Sequence, residues 1–311
     1  MTLLSIVVPC YNEEEMIPIF YNELKAILNE KLSFYNYELI FIDDGSNDES
    51  LSKIKEIAKI DKNSYFISFS RNFGKESAIY AGLQSVKGDY IIIIDVDLQD
   101  PPSLIPKMIS CLETGKYDSV GTKRSTRKGE PFFRSLFSNI FYKLINKLSK
   151  TEIVSGARDF RVFNRNMKDA ILKISEYNRF SKGIFQWVGF KTKWLEYENI
   201  QRKKGDSKWS FWKLFKYSLD GITDFSTALL SISTIAGIIS SILAFIFIIM
   251  IVIKTLAFGD AVAGWPSTIS VILLIGGIQL FSIGILGQYL SKTFLETKNR
   301  PIYITKESNR K

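Results

Sequence analysis

The sequence predicts a doubly wound α/β domain over residues 1–224, a two-helix transmembrane hairpin over 225–291, and a basic cytoplasmic tail over 292–311. Three observations carry that expectation. Short Ile/Val/Phe-rich runs alternate with helix-spaced segments through residues 1–100. Two long uncharged stretches lie toward the far end of the chain. The 311 residues include two cysteines and no histidine. That last count bounds the chemistry, because it removes an imidazole base, a Ser-His-Asp or Cys-His nucleophile and any His-ligated zinc. Cys10 and Cys111 alone make neither a Cys₄ cluster nor a disulfide framework, so the chain reads as cytoplasm-facing. Any catalysis must then come from carboxylates, a hard metal ion, Lys/Arg and backbone dipoles.

Taken in order, the runs Leu3–Pro9, Glu38–Asp43, Tyr65–Phe69 and Tyr90–Asp95 are short and apolar and end in turn residues, as buried parallel strands do. Between them, Glu13–Asn29, Glu49–Ile60 and Lys75–Val86 have helical spacing, with Asn12 and Asn47 or Asp48 as expected caps. Such a sheet binds ligands beyond the carboxyl ends of its strands. The polar motifs fall at those ends: Tyr11-Asn12-Glu13, Asp43-Asp44-Gly45-Ser46, Arg71-Asn72-Phe73-Gly74-Lys75 and Asp95-Val96-Asp97-Leu98-Gln99-Asp100. Carboxylates two apart at a strand terminus can both reach one cation, and oxygen ligands suit Mg²⁺ or Mn²⁺ with positions left for substrate phosphates. No Gly-x-x-x-x-Gly-Lys-Ser/Thr and no Gly-x-Gly-x-x-Gly occurs in this region, which argues against a P-loop nucleotidase or a nicotinamide enzyme. A nucleotide held through a divalent metal remains the natural ligand.

The uncharged stretches centre on 228–253 and 266–290, each longer than the ~20 residues a helix needs to cross a bilayer. Arg202, Lys203, Lys204, Lys208, Lys213 and Lys216 precede the first, and Lys292, Lys298, Arg300 and Lys306 follow the second. Lys254 and Asp260 are the charges between them, so both flanks are expected in the cytoplasm. From Lys123 to Lys150, basic residues alternate with Phe132, Phe133, Leu136, Phe137, Ile140 and Phe141, the pattern of a basic amphipathic helix lying in a membrane interface. The net charge of +9 hides an uneven spread: −8 over residues 1–100, +13 over 101–224 and +4 over 225–311. A basic half of this kind suits an anionic lipid; no helix-turn-helix or RNA-recognition pattern points to nucleic acid.

These motifs resemble those of family 2 glycosyltransferases with the GT-A (Rossmann-like) fold. The residues that carry the likeness are Ile6 to Glu13, Asp43 to Ser46, Ser70 to Glu76 and Asp95 to Pro102. Later segments narrow it to the polyprenyl-phosphate type, which includes bactoprenol glucosyltransferases and, more distantly, dolichol-phosphate mannose synthases. Those segments are Ser155 to Arg161, Gly205 to Trp209, Gly284 to Tyr289 and Asn299 to Tyr303. The resemblance implies a nucleotide-sugar donor, a polyprenyl-phosphate acceptor, a bilayer and a homo-oligomer, in relatives a tetramer. It also implies roles. Pro9, Tyr11, Glu13 and Asp44 would frame the nucleotide. Asp95 and Asp97, with Gln99 near, would hold Mg²⁺ or Mn²⁺. Asp159 matches the catalytic base, though a salt bridge to Arg158 or Arg161 is its structural alternative. Arg124, Arg134 and Ser138 match acceptor-phosphate positions, and Arg202 and Lys208 match a loop closing on the donor diphosphate. The reaction implied is inverting transfer of one hexose, from UDP-glucose or UDP-N-acetylglucosamine, to undecaprenyl phosphate. Its rivals are a GDP-mannose-dependent synthase, a processive polysaccharide synthase and an inactive membrane scaffold. Processive synthases usually carry Gln-x-x-Arg-Trp and more spans, and neither is present.

Overall fold

A computed structural model describes residues 2–124, 154, 156–197, 228–258 and 264–310. The α/β alternation expected for the first hundred residues is present: β1 (Leu3–Cys10), α1 (Met16–Lys31), β2 (Asn36–Asp43), α2 (Ser50–Ile60), β3 (Ser64–Phe69), α3 (Lys75–Ser85) and β4 (Tyr90–Ile93). β2 and β1 pair in parallel, as do β1 with β4 and β2 with β3. Every residue of β1 from Leu4 onward is buried, which is why the run reads as continuously apolar rather than alternating. Alternate side chains enter two cores. Leu4, Ile6 and Val8 pack with α1, α2 and α4 (Ile105–Glu113), whereas Val7, Ile40 and Ile93 pack with α3 on the opposite face. α3 lies against the sheet so closely that a Cβ on Gly82 would come within 2.2 Å of Val7 Cγ1.

Four strands lie beyond the expected set. β5 (Ser119–Arg124), β6 (Ala157–Asn164), β7 (Thr192–Tyr197) and β8 (Thr305–Ser308) complete an eight-stranded mixed sheet ordered β7-β5-β6-β4-β1-β2-β3-β8. α5 (Arg165–Leu172) and α6 (Ser181–Trp187) cover the α3 face. Lys123 and Arg124 end β5 rather than opening the amphipathic helix expected from Lys123; the remainder of that expected helix lies outside the described residues.

Two long helices follow, α7 (Ala228–Phe258) and α8 (Trp265–Thr297), and they touch. Both expected helices are therefore present, but among the described residues one stretch, Leu274–Thr297, is long and apolar enough to cross a bilayer. α7 is one 31-residue helix, and Ser233–Phe247 is its apolar stretch among the described residues. The expected second stretch, 266–290, lies within α8, which continues unbroken past Lys292 to Thr297. Ile235, Phe245, Leu280 and Phe281 are more than half exposed along these helices.

The basic tail is not a loose appendage. β8 runs antiparallel to β3 and closes that edge of the sheet. Asn309 accepts the Phe66 N–H (2.7 Å), Tyr303 stacks on Phe69 (4.8 Å between centroids), and Arg310 forms a buried ion pair with Glu38. Glu296, near the end of α8, accepts the Tyr177 N–H at 2.7 Å, so the chain from the long helix onward is tied to the α/β domain here as well as through β8.

Candidate active site

Three loops at the carboxyl ends of β1, β2 and β3 are sewn to one another. The Asn12 N–H donates to Ser46 Oγ (2.9 Å), the Asn47 N–H to Asn12 Oδ1 (2.9 Å), and the Glu13 N–H to Ser50 Oγ (2.7 Å). Asn12, expected to cap α1, instead turns to the neighbouring loop from a left-handed backbone (φ 52°). The N-cap of α2 is Glu49 rather than the expected Asn47 or Asp48, and no side chain caps it; Asp48 accepts the Ser50 N–H at 3.0 Å in the turn just before. Gly45 also lies at positive φ, and a Cβ there would sit 2.4 Å from the Arg71 backbone. That close approach requires glycine in Asp-Asp-Gly-Ser.

Within these loops the two neighbouring aspartates take different work. Asp43 is buried and accepts from Ser68 Oγ (2.7 Å) and the Ser46 N–H (3.1 Å). Asp44, also buried, accepts the N–H groups of Phe73 (2.6 Å) and Gly74 (2.9 Å), which open α3. Burial pushes the Asp44 carboxyl up to about 6, against the pull of those donors. Pro9 lies buried in β1 beside Ile42, and Tyr11 and Glu13 are half-buried on the loop that follows.

β4 delivers Asp95 and Asp97. Leu98, just after them, holds φ 56° while almost wholly buried, an uncommon conformation for a branched residue and one that clusters at functional loops. Asp97 Oδ1 accepts the Gln99 N–H (3.1 Å), and Gln99 Oε1 accepts from Arg158 (3.4 Å). Arg158 also pairs with the fully buried Asp100 (3.0 Å), which takes the Tyr197 hydroxyl as well.

The antiparallel β4–β6 register ends by pairing Ile93 with Arg161, and just beyond it Asp95, past the end of β4, lies near Asp159 of β6. Neither Arg158 nor Arg161 bridges Asp159. The partner is Lys75, whose Nζ lies 2.6 Å from Asp159 and 2.7 Å from Asp95. Arg161 instead lies buried against the rings of Phe185 and Trp194. Burial would raise Asp159, but the Lys75 ammonium, with Lys182 beside it, holds that carboxyl well below the usual range. At Asp95 burial wins and the carboxyl is raised. Sequence reasoning named Lys75 inside a motif without giving it a role. The signal was a cation in the first turn of a helix, where the macrodipole disfavours it.

Next to Lys75, Glu76 accepts the Ser181 N–H (2.9 Å) and the Ser181 hydroxyl. Burial, aided by the charge on Asp159, pushes Glu76 up to about 7. Both Asp44 and Glu76 thus hold protons in the folded state that the unfolded chain, with carboxyls near ~4, releases. The stability they contribute is full below about pH 4 and is lost as pH rises through about 6 and about 7. With no histidine to titrate in that window, the melting temperature of metal-free protein is expected to fall from pH 5 to pH 8. Glu76→Gln should flatten the upper part of that fall. A flat or rising wild-type profile would contradict this assignment.

Arg134, Ser138, Arg202 and Lys208 lie outside the described residues, and for Arg124 the backbone alone is described, at the end of β5. Among the described residues no three Asp, Glu or Cys side chains form a ready metal cage. Asp95 and Asp97 are an all-oxygen pair on one loop, which fits a hard divalent ion that completes its shell with water and substrate phosphate.

A model of the family "Glycosyl transferase family 2" matches residues 5–172. The prophage bactoprenol glucosyl transferase homolog of Escherichia coli (strain K12) is 45% identical over 303 residues, 97% of this chain and 98% of that protein. The SfII prophage-derived bactoprenol glucosyl transferase of Shigella flexneri is 43% identical over 307 residues, 99% of this chain and 98% of that protein. Among solved structures, glucosyl-3-phosphoglycerate synthase from Mycobacterium tuberculosis, in complex with Mn²⁺, UDP-glucose and phosphoglyceric acid, is 20% identical. Its TM-score is 0.48, covering 71% of this chain and 78% of that one. With over half of its residues inside the family's boundaries and relatives matched end to end, the chain belongs to glycosyl transferase family 2: it is a hexosyltransferase on a GT-A, Rossmann-like α/β fold.

Proposed function

We propose that the protein transfers one glucose from UDP-glucose to a polyprenyl phosphate such as undecaprenyl phosphate, with inversion, at the cytoplasmic face of the cell membrane. The observation that carries this reading is identity of 43–45% to bactoprenol glucosyl transferases across the whole chain, α7 and α8 included. Both helices would then span the bilayer as a hairpin, about 228–253 and 266–290, with lipid covering their exposed apolar side chains. Residues 1–224 and the tail would face the cytoplasm, and copies would assemble as a homo-oligomer, a tetramer by family resemblance.

In this reading Pro9, Tyr11, Glu13 and Asp44 frame the nucleotide, and Arg202 and Lys208 close on its diphosphate. A divalent ion, Mg²⁺ or Mn²⁺, held by Asp95 and Asp97 beside Gln99, supplies Lewis-acid stabilisation for the departing diphosphate when bound. Arg124, Arg134 and Ser138 hold the acceptor phosphate. A phosphate monoester has its second pKa near ~6, so the acceptor is largely dianionic at neutral pH. Asp159 therefore orients the attacking oxygen more than it deprotonates it. That oxygen forms the new bond to the anomeric carbon while the bond to the nucleoside diphosphate breaks, giving a β-linked lipid-phosphate sugar from an α-linked donor. No histidine is needed.

The test is a donor panel. Purified protein with Mn²⁺ and undecaprenyl phosphate is expected to release UDP from UDP-glucose and to make a glucosylated lipid. Turnover confined to UDP-N-acetylglucosamine or GDP-mannose would replace the sugar assignment. Nucleotide binding without turnover of any donor would indicate a scaffold. Arg134→Ala is expected to raise the KM for lipid about 10–100-fold, the loss of one charge-assisted hydrogen bond. An effect on donor KM alone would refute its acceptor role.

A further inference from the structure

Lys75 is well built for a task that the reading above does not assign. Its Cα sits at the first position of α3, after Gly74, where the helix dipole works against a cation. Its neighbours along the chain are held on both sides. Asp44 grips the N–H groups of Phe73 and Gly74, and Ser181 holds Glu76. The freedom left is in the four-carbon side chain, which is 41% exposed, whereas the two carboxylates it reaches are 20% and 18% exposed. One carboxylate follows the end of β4 and the other lies in neighbouring β6, close enough for one ammonium to reach both, a like-charge pair that needs a cation between them. Lys75 Nζ supplies it, at 2.7 Å from Asp95 and 2.6 Å from Asp159. A flexible point charge of this sort can neutralise two carboxylates and still withdraw from one of them.

We propose that Lys75 is the resident counter-cation of this site: its ammonium competes with a divalent ion for Asp95 and, when displaced, stays on Asp159 as that residue's positioning partner. The inference rests on the assignment of Asp95 as a metal ligand. It gives the metal-free protein a neutralised, folded site, and it weakens metal loading until the donor's phosphates add their own ligands. The chemistry it recognises is a hard divalent cation.

The experiment measures Mn²⁺ binding to nucleotide-free, full-length protein by calorimetry, with thermal melting alongside. Lys75→Met removes the competing charge and is expected to bind Mn²⁺ about tenfold tighter, as if one ~1.4 kcal/mol interaction were released. Mn²⁺ should also raise its melting temperature more than it raises that of the wild type. Lys75→Arg keeps the charge and adds a forked donor that can bind both carboxylates, so it should bind Mn²⁺ several-fold more weakly than wild type. At saturating Mn²⁺, Lys75→Met should show a lower kcat, because Asp159 has lost its partner. Mn²⁺ affinity unchanged or weakened in Lys75→Met, or tightened in Lys75→Arg, would overturn the proposal while leaving the metal assignment standing. If Asp95→Asn leaves wild-type Mn²⁺ binding unaltered, the metal assignment fails first and this inference fails with it.

Discussion

Asp97→Asn is expected to slow nucleoside diphosphate release on the order of 10³-fold without lowering the melting temperature. The fold should not notice the change. Asp97 Oδ1 accepts the Gln99 N–H at 3.1 Å, and an asparagine carbonyl can accept the same bond. What is lost is one negative charge on the loop where Leu98 holds a left-handed backbone. Lewis-acid stabilisation is worth several kcal/mol, and each ~1.4 kcal/mol is tenfold in rate, which sets the expected loss. Initial rates with Mn²⁺, undecaprenyl phosphate and UDP-glucose, beside a melting curve, test both halves. Release at the wild-type rate would remove Asp97 from the metal site.

The second large effect concerns stability. Arg310→Ala should destabilise the protein by about 3–5 kcal/mol, the usual consequence of breaking a buried ion pair from one side. Arg310 and Glu38 are 9% and 6% exposed. Arg310 also donates to the Ser85 carbonyl (2.9 Å) and lies over the Tyr65 ring (4.4 Å). Glu38 still takes Ser5 Oγ (2.6 Å) and the Lys87 N–H (2.7 Å), but without Arg310 its charge stays uncompensated. For a protein of this size the melting temperature in detergent should drop on the order of 10 °C. Adding Glu38→Gln should recover part of the loss. A shift of under about 2 °C for Arg310→Ala would mean that the β8 edge is held by its backbone pairing alone.

Much of the nucleotide half was readable because its signals are local. A fully buried parallel strand must be apolar throughout, so Leu3–Pro9 and Glu38–Asp43 announce themselves, and the polar motifs follow at the strand ends where such folds bind ligands. The helix caps were less legible. Asn12 has the right chemistry for a cap, but a left-handed backbone turns it toward Asn47, a partner 35 residues away. Asp159 was found by resemblance, and its expected arginine partners were neighbours in sequence. Its actual partner, Lys75, is 84 residues distant. Nothing local distinguishes a lysine that solvates from one that meets two carboxylates across a sheet.

β8 shows the same limit more sharply. Thr305–Ser308 is polar and mostly exposed, with no alternation to mark it as a strand. It is a strand because the edge of β3 offers unpaired N–H and C=O groups, and Asn309 and Arg310 anchor it across more than 240 residues of sequence. The sequence by itself determined the chemical vocabulary, because composition is independent of folding. With no histidine, the active chemistry belongs to carboxylates, lysine and arginine, and the alternation of apolar runs places them at one edge of an α/β sheet. The tertiary structure alone decided which charges meet. Ion pairing at 2.6–2.7 Å depends on distance in space, and distance along the chain carries almost no information about it.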